Sequence, residues 1–126
     1  MRYFDLLIRK KQERDKYLHN LEFYLDEIRR IVKNNFEDAK IFLFGSYVKG
    51  NLSPKSDIDI LIVIKEELDI RQKSEIILNI KQKIGLTSPF EFHIASYKEY
   101  QSWWKNFIKD NYKEIVPMSD AGSEST

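Results

Sequence analysis

The sequence predicts an α/β fold in which a small mixed sheet is packed with helices in a single domain, and three observations lead there. Two short β-favouring apolar runs, KIFLF at residues 40–44 and DIDILIVI at residues 57–64, are separated by turn formers. Longer segments on either side carry apolar residues every three or four positions, the period of a helix with one buried face. The length of 126 residues matches the size served by one hydrophobic core. The resulting order, α-β-β-α-β-α, is that of a sheet layered with helices.

Taken in order, residues 17–32 place Leu18, Leu21, Leu25, Ile28 and Val32 on one helical stripe that should pack on the rest of the domain. Phe4, Leu7 and Ile8 continue the stripe upstream. Residues 9–16 between them are wholly polar, so the helix is expected to project there or break. The expectation is one long helix over about 5–33. KIFLF then stops at Gly45 as a buried strand would, and Gly50, Asn51, Ser53 and Pro54 form a loop. DIDILIVI alternates at first and then becomes continuously apolar, which suits a central strand covered on both faces.

Leu68, Ile70, Ile76, Ile77, Ile80 and Ile84 support a further helix that ends at Gly85, a usual residue at a helix C-terminus. The third strand covers residues 90–95, with Phe90, Phe92 and Ile94 on one face and Glu91, His93 and Ala95 on the other. Residues 97–108, with Trp103, Trp104 and Phe107, read as a last amphipathic helix. The domain is expected to occupy residues 1–116. The tail, residues 117–126, lacks apolar periodicity and is expected to be disordered.

Composition removes several classes of function. Twenty-one Lys and Arg against 20 Asp and Glu leave a net charge of +1, with no general attraction to nucleic acid or acidic membrane, so any polyanion site must be local. Cysteine is absent, which excludes disulfides, Cys-ligated zinc and thiol nucleophiles. The N-terminus carries charge early and lacks a small-residue cleavage site, and no apolar run approaches the roughly 20 residues that span a bilayer. A cytoplasmic protein without membrane contact is expected.

The chemistry concentrates in residues 44–64, FGSYVKGNLSPKSDIDILIVI. Side chains alternate along a strand, so Asp57 and Asp59 should face the same way with Cα atoms about 6–7 Å apart. Two like charges so placed repel, and partial burial adds a desolvation cost unless something compensates. A divalent cation does so: Mg²⁺ is commonly held by one or two carboxylates plus substrate phosphates, and paired ions can activate an attacking oxygen and stabilise a leaving one. Gly45-Ser46 supplies the complementary half. If Ser46 opens a short helix, its hydroxyl and the N–H groups of the first turn point at an anion, and glycine lets a phosphate approach closely.

Lys49 and Lys55 could add positive charge, although an exposed lysine is ordinarily just solvated. Neither GxxxxGK[ST] nor GxGxxG occurs, so the P-loop and Rossmann fingerprints are absent. An Asp-x-Asp pair alone could equally be a turn cap. Trp103 and Trp104 could stack a nucleobase, yet aromatics at helical spacing more often belong to a core or an interface, which is where they are placed here. The charged run at residues 9–16 reads as a solvated helix face.

Gly45-Ser46, ten further residues and then Asp57-x-Asp59, flanked by apolar strands, resembles the signature of the DNA polymerase β-like nucleotidyltransferase superfamily. The small size is similar to the minimal nucleotidyltransferases, which often accompany a HEPN-domain protein in prokaryotic toxin–antitoxin pairs. The motif covers only about fifteen residues, but the elements around it follow the same fold order. The resemblance implies Asp57 and Asp59 as ligands of a two-ion Mg²⁺ site and Gly45 and Ser46 as nucleotide-binding residues. It also implies a third carboxylate, usually Asp, from a later strand. Here that position falls to Glu91, one methylene longer, as third ligand or as general base for the incoming hydroxyl, and His93 could touch a phosphate or the acceptor or stand as a rim residue.

On that resemblance the expected activity is transfer of AMP from MgATP to a hydroxyl, with a tyrosine of a HEPN toxin as acceptor and the chain acting as antitoxin. Two other readings stand beside it. One is a non-catalytic antitoxin that masks its partner; the other is a transferase acting on RNA ends or on small molecules such as aminoglycosides. A homodimer is compatible with the exposed surfaces expected of the first and last helices.

Overall fold

The computed structural model describes residues 2–50 and 57–117. Asn51, Ser53, Pro54 and Lys55 of the expected loop, and the tail from residue 118, lie outside the described residues. The chain opens with two helices, α1 (Tyr3–His19) and α2 (Leu21–Asn35). Then follow β1 (Lys40–Phe44), a single turn α3 (Ser46–Lys49), β2 (Ile58–Ile64), α4 (Ile70–Ile84) and β3 (Phe90–Ser96). A helical segment comes next: α5 (Tyr97–Glu99), a π-helical stretch (Tyr100–Trp104) and α6 (Lys105–Ile108). A short strand, β4 (Tyr112–Glu114), is the last element among the described residues.

The single long helix expected over 5–33 is corrected to two. The break falls at Asn20 (φ −115°, ψ 32°), whose side-chain amide donates to the Lys16 carbonyl, one of the local bonds by which Asn competes with the helical backbone. The polar stretch at residues 9–16 stays helical, and residues 2–12 are exposed throughout, so the projection expected there is seen. The turn at Asn20 lets both Tyr17 and Leu21 reach the core. There the Tyr17 hydroxyl donates to the Ile84 carbonyl (3.1 Å), and Gly85 lies so close to that hydroxyl that a Cβ would collide with it.

The sheet is mixed, as expected, in the order β3-β2-β1-β4. β1 runs antiparallel to β2 and to β4, while β2 and β3 are parallel. The three-residue β4 has no counterpart in the expected order: its residues are all exposed, and it exists only through pairing with β1. α4 starts with a capping box, Asp69 and Gln72, and the last helical segment starts with another, Ser96 and Glu99, placed directly at the end of β3.

Alternation along the central strands sorts their side chains onto two faces. Ile58, Ile60, Ile62 and Ile64 of β2, with Ile41, Leu43, Phe90, Phe92 and Ile94, pack against Leu25, Ile28 and Val32 of α2 and Ile80 and Ile84 of α4. The other face is smaller and more aromatic: Phe42, Phe44, Leu61, Val63 and Ala95 lie under Ile108, Tyr100 and Trp104. β2 is thus covered on both faces, and the one position of that strand that is not fully buried is Asp59.

Candidate functional site

The pairing register builds the site. Phe44 lies opposite Asp59, and Asp59 lies opposite Glu91 in the parallel pair, so the C-terminal end of β1 and the N-terminal ends of β2 and β3 share one edge of the sheet. The backbone N–H of Ile58 donates to the Pro89 carbonyl (2.8 Å), tying the starts of β2 and β3 together. Asp59, Glu91 and His93 all project on the aromatic face, because His93 follows Glu91 by the two-residue period of a strand. One ligand atom from each of the three lies within 4.8 Å of the others. His93 Nε2 is 3.6 Å from Asp59 Oδ1 and 3.9 Å from Glu91 Oε1.

The turn after β1 is shaped to meet this cluster. Gly45 has φ +81°, a conformation open chiefly to glycine, and α3 begins at Ser46 as expected. A Cβ at Gly45 would overlap Oδ2 of Asp59, so the absence of a side chain there is what allows the acidic strand and the turn to touch. Tyr47 and Val48 pack against the main core and hold the turn in place. Its first-turn N–H groups are those that a helix leaves unbonded.

The electrostatics carry a cost. The Asp59 carboxyl is held above the ordinary carboxylate value of 3.8, first by burial and next by the charge of Glu91, with a smaller push from Asp57, while His93 pulls it back down. Asp59 is therefore a carboxylate the fold keeps charged only against desolvation and a like neighbour. A cation between Asp59 and Glu91 would remove both penalties at once.

The expected residues do not all arrive in the same way. Asp59 and Glu91 meet, and His93 joins them. Asp57 stands one residue before β2, exposed, and outside the cluster that Asp59, Glu91 and His93 form; it lines a groove with Leu7, Lys10 and Arg14 of α1 and Pro89. Lys49 is exposed at the end of α3. Trp104, expected in a core or at an interface, packs against the small core face, and its ring also flanks the acidic cluster, 5.4 Å from that of His93 and 5.8 Å from Phe44. The signal that could have found it is the Ser-x-x-Glu box at Ser96 and Glu99, which starts a helix at the very end of β3 and leaves it little choice but to fold back over the sheet.

The sequence pattern of the nucleotidyltransferase domain family matches residues 25–116 of this chain. Among curated relatives, a provisionally assigned protein adenylyltransferase of Methanocaldococcus jannaschii is 37% identical over 51 residues, 40% of this chain and 50% of that protein. The spectinomycin 9-adenylyltransferase of Enterococcus faecalis is 32% identical over 128 residues, 87% of this chain and 50% of that protein. The chain thus spans about half the length of the curated relatives it matches. Among solved structures, a provisionally assigned nucleotidyltransferase is 41% identical with a TM-score of 0.58, over 71% of this chain and 95% of that one. A chain from the complex of tri-AMPylated Shewanella oneidensis HEPN toxin with MNT antitoxin shares the fold (TM-score 0.53) at 18% identity, over 80% of this chain and 76% of that one. The chain belongs to the nucleotidyltransferase domain family, as the Gly-Ser and Asp-x-Asp spacing led one to expect.

Proposed function

We propose, proceeding from that membership, that the protein transfers a nucleoside monophosphate, AMP from ATP, to a hydroxyl group. The observation that carries this reading is the meeting of Asp59 and Glu91 across β2 and β3, directly against the Gly45-Ser46 turn. A divalent metal fits these residues, because two adjacent carboxylates, one of them disfavoured in its charged form by the other, are the donor set a hard cation relieves. Asp59 and Glu91 would hold Mg²⁺, with Asp57 as a further ligand at the rim. When bound, the metal supplies charge neutralisation at the phosphates and polarises the reacting oxygens.

The chain's own residues do the rest. Gly45 and the first turn of α3 receive the phosphates, through backbone N–H groups and the Ser46 hydroxyl. Glu91, with about half its side chain exposed, is placed to take the proton of the incoming hydroxyl, and His93 keeps Asp59 oriented. The hydroxyl oxygen forms a bond to the α-phosphorus, the bond to the bridging oxygen breaks, and pyrophosphate leaves.

The acceptor we propose is a tyrosine of a HEPN-domain toxin in the cytoplasm, with the chain as its antitoxin. The likeness of fold to a chain of the Shewanella oneidensis HEPN complex supports this partner. No helix among the described residues is long and apolar enough to cross a membrane. The test is incubation with ATP labelled at the α-phosphate, Mg²⁺ and the protein encoded by the neighbouring gene. Label on a tyrosine of the neighbour is expected, and its absence, with label retained nowhere else, sinks the reading. If Asp57→Asn with Asp59→Asn still neutralised the partner fully, masking without catalysis would suffice. A second acceptor class, a small-molecule hydroxyl, is favoured by the match to spectinomycin 9-adenylyltransferase over most of this chain, and label on spectinomycin in the same assay would select it.

A further inference from the structure

The aromatic wall beside the acidic cluster continues outward. Trp104 packs its ring against His93 (5.4 Å) and Phe44, and meets Trp103 edge-on at 4.7 Å. Trp103 in turn stacks nearly parallel on Phe107, with centroids 4.8 Å apart and planes inclined by 13°. Trp103 is 54% exposed and Phe107 59% exposed, although each is a large apolar ring in a segment that already covers the sheet. Two ring-to-ring steps therefore lead from His93, at the acidic cluster, to an open aromatic stack. The backbone beneath is a π-helical stretch, a form that is rare and recurs at functional sites, and the consecutive Trp103 and Trp104 point apart: Trp104 inward on His93, Trp103 outward.

A core alone does not call for the outer pair. The small face is already closed by Ile108, Tyr100 and Trp104, and leaving Trp103 and Phe107 in water costs apolar exposure that smaller residues would avoid. What the pair offers is a flat face beside a phosphate-and-metal site, and the ligand with a flat π-face at one end and phosphates at the other is a nucleotide. Stacking on aromatic side chains is a general means of holding a base, and it is sequence-tolerant because every base has a π-face. We infer that the Trp103–Phe107 stack is the nucleobase platform of the site, with Trp104 as the residue that positions it against His93. This inference rests on the nucleotide-binding reading above.

Both tryptophans of the chain lie in this segment, so selectively excited tryptophan fluorescence reports on it alone. The experiment titrates wild type, Trp103→Ala and Phe107→Ala with a non-hydrolysable ATP analogue and, separately, with inorganic tripolyphosphate, each with Mg²⁺. Wild-type and Phe107→Ala fluorescence and the calorimetric affinity of all three are read, and circular dichroism confirms that the variants fold. Wild type is expected to bind the analogue more tightly than tripolyphosphate, with a fluorescence change only for the analogue. Each variant is expected to lose roughly tenfold in affinity for the analogue and to keep wild-type affinity for tripolyphosphate. Trp103→Phe should recover most of the loss. Variants that bind the analogue as wild type does overturn the platform while leaving the nucleotide site intact. A wild type that binds neither ligand overturns the nucleotide reading, and the platform with it.

Discussion

The two faces of the sheet are built to different rules. The face under α2 and α4 is mainly aliphatic, with Tyr17, Phe90 and Phe92 among its buried residues, and its isoleucines alternate strictly along β2. The face under the last helical segment is aromatic, and toward its edge it gives way to Asp59, Glu91 and His93. The first face gains stability by burying apolar area. The second gives some of that up: it holds a carboxylate that burial and a like charge both disfavour, next to a glycine in a left-handed conformation. Strain and desolvation gathered at one edge, with an orthodox core opposite, is the pattern expected where stability has been traded for chemistry.

The strongest way to break this comparison is Asp59→Asn. Transfer should fall by about 10²–10³-fold or more, the scale on which removing one transition-state contact acts, in an assay of label transfer. The folded protein should not suffer. The Asp59 carboxyl titrates above 3.8 in the fold, so wild type is penalised once pH rises through the folded-state value and carries no penalty below the unfolded one. In thermal melts without metal, Asp59→Asn should match or exceed wild type near pH 7, and any advantage should vanish near pH 3. A destabilised variant at neutral pH would contradict the division between the faces.

Ile60→Ala probes the opposite face at a fully buried position and should cost about 2–5 kcal/mol in denaturant unfolding, with activity lost only in proportion to the unfolded fraction. Gly45→Ala joins both effects. The φ of +81° and the collision with Asp59 should together cost about 1–3 kcal/mol, and Mg²⁺-nucleotide affinity measured by calorimetry should fall as well. Tyr17→Phe removes only the hydrogen bond to Ile84, so a loss of about 1 kcal/mol with unchanged nucleotide affinity is expected.

The smallest effect belongs to Glu99, which anchors the start of the segment covering the aromatic face. Its carboxyl is held below 4.5 by the Ser96 backbone N–H and by Lys73 (2.9 Å). The stability it adds is present above 4.5 and is lost as pH falls through the lower folded-state value. With the Glu99 side chain about half exposed, the pair should contribute under about 1 kcal/mol. Melts of Glu99→Gln should therefore differ from wild type slightly at pH 7 and not at all near pH 2.

Much of this was legible in the residues. The isoleucine alternation of DIDILIVI announced a central strand, and the Gly-Ser turn with an Asp-x-Asp at fixed spacing marked the sheet edge at which Asp59 stands beside Glu91. The break at Asn20 was not legible, because an asparagine inside a helical period does not by itself end a helix, and the burial of both Tyr17 and Leu21 on either side of it belongs to the packed fold. Nor was β4, whose exposed Tyr-Lys-Glu carries no period and pairs only because the edge of β1 is there to receive it.

The chain by itself determined its family and its three central strands, since an apolar alternation and a Gly-Ser to Asp-x-Asp spacing are local patterns that a strand or turn converts directly into direction. The tertiary structure alone decided which residues of the site meet. Asp59 and Glu91 are 32 positions apart and touch through the parallel register of β2 and β3, and Trp104 reaches His93 because the capped helix after β3 folds back over the sheet. Contacts between distant segments depend on how two faces pack, and no local pattern records that.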